Sequence, residues 1–176
     1  MKNLLKIMLP GIIGLLMLSC ATHTAVSPSN VAGILQSGEF TFMAERANPS
    51  GNDVINVLNS LPRTSSAQML NLDPGYNLEI RKNVIKAELP YFGRMYMPTM
   101  NQEKNSYRFT SNDFTINKTD GKKGSVIYNI AAKDQQNDTQ MILEVYSNGK
   151  AYLTVRSNDR QSISYDGYVT SVTGKK

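Results

Sequence analysis

The feature that most constrains this chain is a change of hydrophobic period. From Met69 onward apolar side chains recur at every second position. Tyr76, Leu78 and Ile80 alternate with Asn77, Glu79 and Arg81, and Ile85, Ala87 and Leu89 alternate with Lys86 and Glu88. Tyr107/Phe109, Phe114/Ile116, Val126/Tyr128/Ile130, Met141/Leu143/Val145, Ala151/Leu153/Val155 and Ile163/Tyr165/Val169 continue the series. A period of two with one apolar and one polar face is the pattern of half-buried antiparallel strands. Turn signals separate the runs: "RKN" at Arg81–Asn83, "TDGKKG" at Thr119–Gly124, "KDQQND" at Lys133–Asp138 and "SNGK" at Ser147–Lys150. The last is a two-residue Asn-Gly hairpin signal. Consecutive hairpins predict a mainly β, antiparallel up-and-down meander of eight to ten strands. A meander that long curls or closes to remove its edges. The expected architecture is a lipocalin-like barrel or a strongly curled sheet, with a short N-terminal helix packed on one end; a two-sheet sandwich is the alternative.

Before Met69 the pattern differs. Ser29–Ser37 predicts a helix with Val31, Ile34 and Leu35 on one stripe, Ser29 or Asn30 as cap and Gly38 as stop. "EFTFMAERANP" then predicts a strand that places Phe40 and Phe42 on one side and ends at Pro49. Val54, Ile55, Val57, Leu58 and Leu61 fit a second short helix or an irregular loop equally well, and Arg63–Gln68 is expected as a loop.

The N-terminus carries a separate message. Lys2 and Lys6 precede an apolar run from Ile7 to Leu18 that ends on Ser19 and Cys20. A basic start, a short apolar stretch and a small residue at the cut describe a secretory signal peptide. The run falls short of the roughly 20 apolar residues a membrane-spanning helix needs. Met17-Leu18-Ser19-Cys20 resembles a bacterial lipobox, with Met17 where Leu is usual. The resemblance implies cleavage before Cys20 and acylation of its sulfur and amine; two or three acyl chains anchor firmly where one is marginal. The alternative is an ordinary signal peptide followed by a free thiol. The expected organisation is a signal peptide over 1–19, a lipidated tether over 20–30 and one β-rich domain over 31–172.

Composition narrows the chemistry. The chain has one Cys, one His and a net charge of +5 over 176 residues. Removing Lys2 and Lys6 with the signal peptide lowers that charge to +3. So small a surplus, with no cluster, points away from nucleic acid. His23 lies in the tether, which leaves the domain without an imidazole for a Ser-His-Asp or Cys-His arrangement or for zinc. Asp73 alone is too few carboxylates for calcium. No catalytic residue, metal or cofactor is expected. Glu39 with Glu45, or Asp159 with Asp166, would serve glycoside hydrolysis if the fold brought them together; solvated strand ends and turns are the plainer reading.

Two segments stand out. "ELPYFGRMYMP" at Glu88–Pro98 sets Tyr91, Phe92, Arg94, Tyr96 and two Met between prolines. It reads either as a hydrophobic plug at the barrel end or as a ligand or partner surface, since Tyr, Met and Arg are enriched at contacts. "SNDRQSISYDGYV" at Ser157–Val169 adds Arg160 and Tyr165, with Asp166-Gly167 as a candidate bulge.

"FTFMAERANP" (Phe40–Pro49), "LPYFGRMY" (Leu89–Tyr96), "FTSNDF" (Phe109–Phe114) and "NDRQSISYDGYV" (Asn158–Val169) occur in an order that resembles domain of unknown function 4251, a family of Bacteroidetes lipoproteins. The resemblance runs from about Gln36 to Ser171, with Ser50–Gln68 as the variable part. It implies a small β-rich domain of the cell envelope and brings neither an activity nor catalytic residues.

These readings converge on a membrane-tethered envelope lipoprotein facing the periplasm. Its expected role is a non-catalytic binding or interaction module for a small apolar or amphipathic ligand or an envelope protein. The rivals are an accessory protein with a packed barrel and a carboxylate-based hydrolase. Replacing the one thiol, Cys20→Ser, is expected to move the protein from the membrane to the soluble fraction and to abolish labelling by an alkyne fatty acid. Unchanged fractionation would refute the anchor.

Overall fold

Phe40 to Pro49 form the strand about which the molecule is organised. The computed structural model describes residues 28–60, 66–96, 106–135 and 137–172. Cys20, His23 and the signal segment lie outside these. The elements run α1 (Pro28–Ser37), β1 (Phe40–Pro49), α2 (Asn52–Ser60), α3 (Ser66–Leu70), β2 (Asn77–Ile80), β3 (Ile85–Pro90), β4 (Ser106–Ser111), β5 (Phe114–Asp120), β6 (Val126–Ala132), β7 (Thr139–Val145), β8 (Lys150–Ser157) and β9 (Arg160–Ser171).

All nine strands belong to one sheet in the order β4-β3-β2-β1-β9-β8-β7-β6-β5, and every neighbouring pair is antiparallel. The first strand therefore pairs with the last. β4 and β5 stand at opposite ends of this order, yet only Asn112 and Asp113 separate them in the chain. Eight antiparallel steps make them run in the same sense. They are two halves of one bent strand, the first paired with β3 and the second with β6. The bend closes the sheet into a nearly complete up-and-down barrel, as the period-two pattern predicts.

The bend is held by Asp134 in the β6–β7 loop. Its carboxylate accepts the amides of Asn112 at 2.9 Å and Asp113 at 3.4 Å, while Lys133 N–H donates to Asp113 O at 2.8 Å. Hydrogen bonds from the Ser111 hydroxyl and these amides lower the Asp134 carboxyl to about 2. Where the strand changes partners, a side chain thus supplies the acceptors that a neighbouring strand would give.

Inside the barrel Phe40, Phe42, Leu78, Ile80, Ile85, Leu89, Met141, Leu143, Leu153, Ile163 and Tyr165 are fully buried. A barrel of about eight strands is just wide enough for such side chains to fill it. Each large apolar residue so buried contributes roughly 1.5–3 kcal/mol. α1 packs on β1 and β9 at one end, with Val31 buried. β2 covers only Phe40–Met43 of β1. Beyond it, Ala44 N–H bonds Tyr76 O, Leu72 N–H bonds Glu45 O, and α2 and α3 lie against the remaining edge.

Several local expectations are revised. α1 begins at Pro28, within the expected tether, because a proline lacks only an amide that the first turn leaves unbonded. Ser66–Leu70 is helical, so Met69 belongs to α3 and the alternation starts at Asn77. The Ser147–Lys150 turn is not a two-residue hairpin. Tyr146 N–H bonds Lys150 O at 2.9 Å and only Gly149 takes a positive φ of 82°. That is a three-residue loop with a glycine bulge, since a two-residue Asn-Gly turn needs positive φ at Asn148 as well. At Asp166-Gly167 the extra residue sits on the partner strand, between Ala44 and Arg46 of β1. Gly167 is required there for another reason: a Cβ would lie 1.9 Å from Met43 O.

Gly167→Ala is therefore expected to cost about 3 kcal/mol by overpacking against backbone. Gly33→Ala, in α1 with nothing near the added methyl, is expected to gain about 0.5–1 kcal/mol. Guanidinium titrations of both variants check the pair.

Candidate functional site

Two places on the barrel bring together side chains with binding chemistry. The first is the end opposite α1, where the β8–β9 turn meets the segment after β3. Arg160 opens β9 and is 5% exposed. Its guanidinium lies 5.0 Å from the Tyr91 ring centroid and 4.9 Å from that of Tyr107, and the two rings meet edge to face at 5.7 Å. Arg160 Nη2 and Nε both bond Asp159 Oδ2, at 2.8 and 3.1 Å. Ser157 Oγ donates to Asp159 Oδ1 at 2.6 Å and Asn137 Nδ2 to Oδ2 at 3.0 Å. Burial alone would push the Asp159 carboxyl up; bonds from Arg160 and Ser157 and the guanidinium charge outweigh it and hold the group below its ordinary value.

Residues 91–96 are laid across this cluster and joined to β9 by an isolated bridge. Met95 bridges Arg160, Tyr96 N–H donates to Asp159 O at 2.7 Å, and Gln161 N–H donates to Arg94 O at 3.0 Å. The Tyr91 hydroxyl lies within 2.9 Å of Arg94 O and 3.0 Å of Gln161 O, and Tyr165 Oη donates to Pro90 O at 2.6 Å. Burial, with Tyr107 nearby, pushes the Tyr91 phenol up to about 12; burial also raises Tyr107 and raises Tyr165 further. These phenols stay protonated at neutral pH, and their oxygens already bond protein groups.

The structure thus gathers all six aromatic and arginine residues singled out in the sequence, but gives them different settings. Arg160 and Tyr165 are interior, which removes them from direct contact with a partner. Tyr91 and Phe92 are half-buried, while Arg94 and Tyr96 are exposed. The segment stoppers the barrel. Each carboxylate pair lies on or beside a single strand, Glu39/Glu45 on β1 and Asp159/Asp166 on β9. Six or seven residues of strand separate their members by about 20 Å, beyond the 5–10 Å that glycoside hydrolysis uses. Asp166 instead accepts Asn48 Nδ2 at 2.8 Å. Among the described residues no three of His, Cys, Asp and Glu cluster in a way that would hold a metal.

The second place is the end under α1. A cleft of about 270 Å³ opens between the helix and the tops of β5, β6 and β7. Val31, Leu35, Val126 and Val145 give it apolar walls, and Lys118 brings the one charged side chain among the lining residues. Lys118 pairs with Tyr128 across β5 and β6, so both project to the inner face. Its ammonium stands 5.9 Å from the Tyr128 ring centroid. Tyr128 is 5% exposed and packs 5.1 Å from Phe40; its hydroxyl is buried with no hydrogen-bond partner among the described residues. Burial raises its pKa. The sequence held a signal for this site: Phe114, Ile116 and Lys118 share one face at period two, and the charge breaks the apolar series.

The family model for a domain of unknown function, DUF4251, matches residues 24–169. The fold is similar to the crystal structure of a DUF4251 family protein from Bacteroides eggerthii DSM 20697, with a TM-score of 0.50, 11% identity, and coverage of 84% of this chain and 89% of that one. No curated protein matches.

Arg160→Met is expected to destabilise the barrel by about 3 kcal/mol at neutral pH, because it leaves Asp159 buried without its cation. The lowered Asp159 pKa gives the native protein stability that is present above the ordinary carboxylate range and lost as pH falls below it. The deficit of the variant should therefore shrink below about pH 4, which denaturant titrations at pH 7 and pH 3.5 will show.

Proposed function

The chain belongs to the DUF4251 family, and from that premise we propose that it is a membrane-tethered envelope lipoprotein whose barrel is a non-catalytic binding module for a small apolar or amphipathic ligand. The observation that carries this reading is the position of the free volume. Buried side chains line the lumen, and an apolar cleft lies at the mouth, beneath α1. This supports binding at the rim of the barrel. At about 270 Å³ the cleft falls just under the usual 300 Å³ lower bound of pockets for drug-sized molecules, so the ligand is small.

Location supports the same reading. α1 starts at Pro28, eight residues beyond Cys20. If Cys20 carries the lipid, a tether that short keeps the mouth within about 30 Å of the anchor. The ligand would then come from the bilayer or its surface, on the periplasmic side. The exposed Arg94 and Tyr96 also suit the second reading, an accessory envelope protein that contacts a partner through them.

One experiment separates them. The protein is purified from its native membrane, extracted with solvent, and both fractions are analysed by mass spectrometry. A co-purifying apolar small molecule, lost in Leu35→Arg, is the expected result. Recovery of a stoichiometric protein partner with no small molecule, and no saturable uptake of an anilinonaphthalene dye, would overturn the binding reading in favour of the accessory one.

A further inference from the structure

We propose that the α1 end of the barrel docks on a bilayer surface of anionic phospholipids, through lysines in the turns that surround the helix. This inference rests on the envelope location proposed above and is independent of what the cleft holds.

Strand pairing gathers these turns. Phe40 pairs with both Ile80 and Ser171, so the β2–β3 turn and the end of β9 lie beside the start of β1, where α1 joins it. Val126 pairs with Val145 and Lys150 with Tyr168, which brings the β5–β6 and β7–β8 turns to the same end. Gly124 and Ser147 of those turns line the cleft together with Val31 and Leu35 of α1. Lys82, Lys122 and Lys123 lie within the turns, and Lys150 opens β8. All four are exposed, and none is in an ion pair among the described residues. Residues 81–84, 121–125 and 146–149 include no acid. Of the nearby carboxylates, Glu79 pairs with Arg81, and Asp120 offsets Lys118 on the same face of β5. Glu39 accepts the Lys82 amide at 3.1 Å and Glu144 the Ser125 hydroxyl at 2.6 Å. Those two are half-buried, so the four lysines dominate the exposed surface.

The opposite end has the reverse sign. Its connections hold Asp113, Asp134, Asp138 and Asp159 against Lys133, Arg94 and the buried Arg160. Hydrogen bonds from Asp113 to Asp134 and from Asn137 to Asp159 bring these loops together. The barrel is therefore polarised along its axis. Lysines distributed over three turns around a helix suit a charged plane rather than a single small anion. α1 itself contains no charged residue, so nothing on it opposes such a plane. An anionic bilayer attracts basic segments within about a Debye length, roughly 8–10 Å. α1 starts eight residues beyond Cys20, which sets the anchor position, the helix and the basic turns on one side of the molecule.

The chain contains no Trp, so Ser147→Trp reports from the α1 end and Asn158→Trp from the other. Each variant of the whole protein, purified from its membrane, is reconstituted in vesicles of brominated phosphatidylcholine with or without phosphatidylglycerol. Ser147→Trp is expected to be quenched in the anionic vesicles, and to lose that quenching at about 0.5 M salt, where the Debye length falls to roughly 4 Å. Asn158→Trp should stay unquenched. Adding Lys82→Gln, Lys122→Gln and Lys150→Gln to Ser147→Trp should abolish the effect of phosphatidylglycerol. Circular dichroism should show the fold unchanged, since all three side chains are exposed. Equal quenching of both Trp, or quenching of Ser147→Trp that ignores phosphatidylglycerol, would overturn the docking face. Protein that binds anionic vesicles but never enters neutral ones would overturn the lipid anchor and sustain the docking face. Retention on immobilised polyglutamate with no response to phosphatidylglycerol would overturn the lipid assignment in favour of an acidic protein.

Discussion

Pairing of the first strand with the last holds this molecule together. β1 takes β2 on one edge and β9 on the other, so residues more than a hundred positions apart are fixed by backbone hydrogen bonds. Without that ladder the hairpins β2–β4 and β5–β9 would be two separate curled sheets, each with open edges. With it, the bent strand β4–β5 is drawn round to complete the barrel, and the inner faces of all strands point at one another. The approach of β1 to β9 is so close that Gly167 has no room for a side chain. The same ladder brings Arg160, at the start of β9, to the end that residues 91–96 close.

The two ends of the barrel solve opposite problems. At the Arg160 end, a buried charge is held against two aromatic faces and a carboxylate. Breaking such an arrangement is costly, which makes this end a fixed stopper. At the α1 end, β5 carries Lys118 where its pattern calls for an apolar residue, and the helix bridges the gap without filling it.

Local signals suffice for the alternation, the positions of the turns and the stop at Gly38, where neighbours in sequence are also neighbours in space. The helix start at Pro28, the Ser66–Leu70 helix and the type of the Ser147–Lys150 turn are local departures from them. Other departures arise where a partner from far along the chain intervenes. Val126 and Tyr128 alternate like any strand pair, but only the register with β5 sets Tyr128 opposite Lys118. The Asp166-Gly167 pair suggests a bulge, yet the bulge belongs to β1 because glycine lets that strand press in. Asp159 and Asp166 look like a pair of acids until the strand between them holds them apart.

The sequence by itself determined the class: period-two hydrophobicity, broken by turn residues, allows antiparallel strands with one buried face and little else, and the composition leaves the domain no His or Cys chemistry. It also carried the family motifs. Tertiary structure decided which end of the barrel residues 91–96 cover, that Arg160 and Tyr165 serve the interior, and that Lys118 faces a cleft. The reason is physical. Periodicity encodes which face of a strand is buried, but the identity of the side chain across from it depends on closure of the whole sheet, and closure is a property of pairings between distant segments.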